Sequence, residues 1–119
     1  MKFLHTADWQ IGMKAADLGA AGERVREERL AAARRVIDAG KDHGVDFILV
    51  AGDLFEDNAV NRVLIQKIAD ILSQFGGPLF IIPGNHDPLV PGSVWFAWHS
   101  LCIRVPTTRT PTRIIWKEI

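Results

Sequence analysis

FIIPGNHD, residues 80–87, runs from a short apolar segment straight into a tight turn that presents an amide, an imidazole and a carboxylate in consecutive positions. Pro83 withholds a backbone donor and helps to end the strand. Gly84 accepts backbone geometry that a residue with a side chain resists. Oxygen and nitrogen donors on so short a turn suit a hard or borderline divalent metal. Two earlier apolar runs end in the same way: residues 2–7 lead to Asp8-Trp9-Gln10, and residues 46–51 (DFILVA) lead to Gly52-Asp53.

The stretches between these runs read as helices. Over residues 23–39, Leu30, Ala33 and Ile37 share one face, and Arg24 with Glu28 and Arg34 with Asp38 stand four apart on the other. Gly40 and Gly44 are stop signals, and His43 suits the negative end of the helix dipole, a structural place. The unbroken apolar run 46–51 predicts a strand covered on both faces, which is usually parallel. Asn58 or Asn61 caps a second helix with a stripe of Leu64, Ile68, Ile71, Leu72 and Phe75. Gly76-Gly77-Pro78 stops it, and Leu79–Ile82 is the third strand. Ser93 can cap a shorter helix with Trp95, Trp98 and Cys102 on one face, those tryptophans reading as core. A short strand is expected at residues 113–116.

Strand, helix, strand, helix, strand predicts an α/β fold, a β-sheet flanked by helices in βαβαβ order with right-handed crossovers. In such sheets the loops at the carboxyl ends of the strands collect in one crevice, where ligands bind. Asp8, Asp53 and Asn85 therefore converge on one rim.

The bulk properties narrow the setting. A chain of 119 residues with 48% hydrophobic and 24% charged content is ordinary for one globular domain. A formal net charge of zero gives no global signal for nucleic acid or an anionic membrane, and counts against a stand-alone DNA binder. The single cysteine, Cys102, excludes an internal disulfide and suits the cytoplasm. The N-terminus reads as no signal peptide, and no run approaches the roughly 20 apolar residues that cross a bilayer.

Two ions about 3.5 to 4 Å apart need a ligand that can touch both, and a carboxylate on the central strand can do so. Asp53 is the candidate bridge, Asp8 and Gln10 the candidate ligands of one ion, and Asn85 that of the other. Such ions lower the pKa of bound water toward neutrality for attack on phosphorus. His86 could protonate the leaving oxygen or, as imidazolium, stabilise developing charge. Each residue also has a plainer reading. Asp8 and Asp53 alone suit caps or turns, and Asn85-His86 alone suits a turn. His5 reads as a hydrogen-bonded core residue, Asp57 as a turn residue, and Asp87 as a brace for its own turn through contact with His86. It is the conjunction of three loops that points to metal.

HTADWQIG (residues 5–12), AGDLFEDN (51–58) and IPGNHDPLVPGSVW (82–95) together resemble the first three motifs of the calcineurin-like metallophosphoesterases, and within that superfamily the SbcD-type DNA repair exonucleases. The resemblance implies an α/β/β/α sandwich of which residues 1–105 form the N-terminal part, followed by an atypical Pro/Thr-rich tail at 106–119. It also implies two divalent ions, manganese or similar, phosphodiester hydrolysis on DNA, and an SMC-like coiled-coil ATPase as partner. Two departures stand out. Gln10 occupies a position where the family has histidine, and an amide oxygen is a weaker donor to a borderline ion than imidazole. The family's later histidines have no counterpart among His5, His43, His86 and His99. The site is therefore expected to be incomplete in this chain, as in a truncated, split or frame-altered product, with uncovered sheet surface favouring self-association. A phosphatase or nucleotide phosphodiesterase of the same superfamily, and a non-catalytic binding or assembly module, are the alternatives.

Overall fold

The computed structural model describes residues 1–12, 19–88, 90–95 and 114–115. Four parallel strands, β1 (Phe3–Thr6), β2 (Phe47–Ala51), β3 (Leu79–Ile82) and β4 (Ile114–Ile115), lie in the order β1-β2-β3-β4. Helix α1 (Ala20–Asp42) joins β1 to β2, and α2 (Arg62–Ser73) joins β2 to β3. The βαβαβ order expected from the apolar runs is thus present, and β4 falls within the expected 113–116 strand. Among the described residues no helix is long and apolar enough to cross a membrane.

Both helices contribute to one core. Ala33 and Ile37 from α1 and Ile65, Ile68, Ala69, Ile71 and Leu72 from α2 are buried with Ile48, Val50, Leu79 and Ile81 of the sheet. A fully buried Ile or Leu side chain is worth about 1.5–3 kcal/mol, so this layer supplies much of the folding energy. The expectation that β2 is covered on both faces is corrected: its burial alternates, with Ile48 and Val50 buried and Phe47, Leu49 and Ala51 half-buried. On that second face Phe3, 53% exposed, stacks on Phe47 with ring centroids 5.1 Å apart, and Phe47 meets Phe80 edge-on at 5.5 Å. His5 pairs in register with Leu49 on this same face and is exposed, so it is no core histidine.

Helix α1 runs past the Gly40 stop expected from the sequence. A Cβ at Gly40 would come within 3.0 Å of Ile48 Cδ1, so the glycine serves close helix–sheet approach. Termination comes at Gly44, whose φ of 61° is left-handed. Its N–H donates to Lys41 O and the Val45 N–H to Gly40 O, the paired bonds of a Schellman ending. His43 sits at this end, where its Nδ1 lies 2.8 Å from Ala39 O. Among the described residues of α1, Glu28 pairs at the surface with Arg35 at 3.1 Å and not with the expected Arg24. At the start of α2 the choice between two asparagines resolves to Asn61, whose Oδ1 accepts the Leu64 N–H at 2.9 Å. After β3, Ser93 and the helical residues Val94 and Trp95 are buried, while Trp98 and Cys102 lie outside the described residues.

Candidate metal centre

Past the ends of β1 and β2 the two strands' loops stay paired. The Asp8 N–H donates to Gly52 O (3.1 Å), Gln10 N–H to Asp53 O (3.0 Å), Ile11 N–H to Leu54 O (3.0 Å) and Glu56 N–H to Ile11 O (2.9 Å). This pairing requires unusual backbone. Asp8, Gln10 and Asp53 have φ of 55°, 49° and 51°, beside Gly52 at 91°. Side-chain-bearing residues occupy this region at a cost of order 1–3 kcal/mol, and aspartate tolerates it better than glutamine. Between Asp8 and Gln10, Trp9 is turned inward. Its indole N–H donates to Thr6 Oγ1 at 2.7 Å, and its carbonyl accepts from Arg29 Nη1 at 2.9 Å.

The third loop closes on the second. A Cβ on Gly84 would collide with the backbone nitrogen and carboxylate of Asp53, so glycine is required here for close approach. The His86 N–H donates to Asp53 Oδ1 at 2.9 Å. Asp87, 0% exposed, accepts the Gly84 N–H at Oδ1 (2.7 Å) and the Phe55 N–H at Oδ2 (3.0 Å). Its carbonyl accepts the Trp95 indole N–H at 2.6 Å. Burial pushes the Asp87 carboxyl up from the ordinary aspartate value; the Phe55 and Gly84 N–H groups pull against that, and the neighbouring Asp53 charge adds to it. Asn58, not needed as a cap, accepts the Val94 N–H at 3.2 Å and donates to Pro88 O at 3.4 Å.

The candidate residues therefore fall on three loops, of which the second is hydrogen-bonded to both the first and the third. Asp53, 8% exposed, is central; Asp8 is exposed and Gln10 half-exposed on one loop, Asn85 and His86 exposed on another. Among the described residues no three His, Cys, Asp or Glu side chains converge to hold an ion. The donors on offer are instead two carboxylates and two amides. An all-oxygen set of this kind fits a hard divalent cation. Asp57 serves its turn, accepting the Ala59 N–H at 2.7 Å. Asp87 does brace its turn, but through the Gly84 amide; among the described residues no hydrogen bond joins it to the His86 ring. Its reach to Phe55 in the second loop is invisible in the sequence, where only the acidic residue closing GNHD marks the position.

The family model of calcineurin-like phosphoesterases matches residues 1–118. A curated relative, the SbcD component of the nuclease SbcCD of Staphylococcus saprophyticus subsp. saprophyticus, is 34% identical over 111 residues, covering 87% of this chain and 28% of the relative. The chain thus spans little more than a quarter of the length of that protein.

Proposed function

The chain belongs to the calcineurin-like phosphoesterase family, and on that premise we propose that its rim is part of a divalent-metal site for phosphodiester hydrolysis on DNA, in the manner of a repair exonuclease. The observation that carries this reading is the joining of three strand-end loops around the nearly buried Asp53. In this reading Asp53 would touch both ions, Asp8 and Gln10 one of them, and Asn85 the other. Ions held there, manganese in our proposal, supply Lewis acidity and a water of lowered pKa. His86, exposed beside Asn85, donates a proton to the leaving oxygen or faces it as imidazolium.

The similarity to a component of a nuclease supports DNA as substrate and a protein partner, for which we propose an SMC-like coiled-coil ATPase. One cysteine in 119 residues suits a cytoplasmic setting. A second reading is a non-catalytic binding or assembly module. It is favoured by the lack, among the described residues, of three converging His, Cys, Asp or Glu side chains.

Hydrolysis of an aryl phosphodiester with added manganese, compared between the chain and Asp53→Asn, separates the two. The enzymatic reading expects metal-dependent turnover that the substitution abolishes. Equal background rates leave the module. An aryl phosphomonoester cleaved in preference to the diester would move the substrate from DNA to the phosphatase class.

A further inference from the structure

We propose that Asp87 is the positioning residue of this rim: it fixes the loop of Asn85 and His86 against Asp53, an inference that rests on the metal-site reading above. The second and third loops exchange carboxylates. Asp53 of the second accepts the His86 N–H of the third, and Asp87 of the third accepts the Phe55 N–H of the second. Asp87 differs from Asp53 in using both oxygens on backbone donors, since Gly84 N–H takes the other. It is fully buried, so water cannot stand in for a lost acceptor. The Trp95 indole grips its carbonyl from a further direction, and Trp95 itself meets the Phe55 ring edge-on at 5.5 Å.

This division of labour matters for the chemistry. If the third loop were held by Asp53 alone, one carboxylate would have to tether the loop and serve the ions together. With Asp87 as the tether, Asp53 gives up only Oδ1 to His86. An asparagine at position 87 keeps the shape but offers one acceptor to two N–H donors, and so releases either Gly84 or Phe55.

The test uses the full chain and manganese chloride alone, with free Mn2+ followed by electron paramagnetic resonance. Backbone amide exchange at Gly84 and Phe55 is read alongside. Asp87→Asn is expected to weaken Mn2+ binding by about 10-fold or more, the usual effect of removing a group that orients a ligand. It should also speed exchange at one of those two amides. Ile68→Val, a core change remote from the rim, should lower the melting temperature and leave Mn2+ affinity as in the parent. If Asp87→Asn does not fold, Trp95→Phe removes one bond to Asp87 and should weaken binding about threefold. Parent-like Mn2+ affinity in whichever of these two variants folds, with binding lost in Asp53→Asn, overturns the role of Asp87 and leaves the metal site standing. No Mn2+ binding by the parent removes the metal site and this inference with it.

Discussion

The layer between sheet and helices and the rim above it are built by opposite rules. In the layer, Ile48, Val50, Ile68, Leu79 and Ile81 follow the periods of strand and helix, and each is buried. At the rim, three residues with side chains, Asp8, Gln10 and Asp53, adopt left-handed backbone, and two carboxylates, Asp53 and Asp87, are withdrawn from solvent. The layer lowers the free energy of the fold; the rim raises it locally and is held in place by the layer. Strain gathered where loops rich in polar residues meet is the pattern of a functional site, whereas the layer needs no function to explain it.

The contrast can be broken most forcefully from the layer. Ile48→Ala should cost about 2–5 kcal/mol in a denaturant titration, through lost burial and the cavity left behind. The fraction that remains folded should bind Mn2+ like the parent. Gly84→Ala attacks the rim. Its added Cβ meets the Asp53 carboxylate and nitrogen, so stability should fall by about 1–3 kcal/mol and Mn2+ affinity with it. Equal affinity in Gly84→Ala would show that the two loops need not approach so closely. Asn61→Ala removes the cap of α2 and should cost about 1 kcal/mol with no effect at the rim. The smallest effect on stability, within about 0.5 kcal/mol, is expected for Gln10→His. It should nevertheless shift ion preference toward zinc over magnesium in a competition titration, because imidazole is the softer donor. An unchanged preference would remove Gln10 from the ligand set.

Most of the layer was legible in the amino-acid sequence. The stripe Leu64, Ile68, Ile71, Leu72 and the apolar run 46–51 declare their elements because burial follows period. Gly40 and His5 were misleading for a common reason: each owes its environment to a neighbour distant in sequence. Gly40 faces Ile48 across the helix–sheet interface, and His5 lies on the sheet face opposite the helices. At the rim, the gathering of the three loops could be read from the acidic or amide residue that follows each strand. The tie from Asp87 to Phe55 could not, since it spans 32 positions and uses a backbone amide that any residue carries. Nor does local sequence announce left-handed backbone at Gln10, a residue that seldom adopts it.

Whether the rim holds metal can be seen by anomalous diffraction from crystals of the chain grown with manganese chloride. Manganese peaks are expected within coordination distance of the Asp53 carboxylate and of oxygens from Asp8, Gln10 or Asn85. Manganese found only away from Asp53, with these side chains turned apart, would contradict a metal site at the rim.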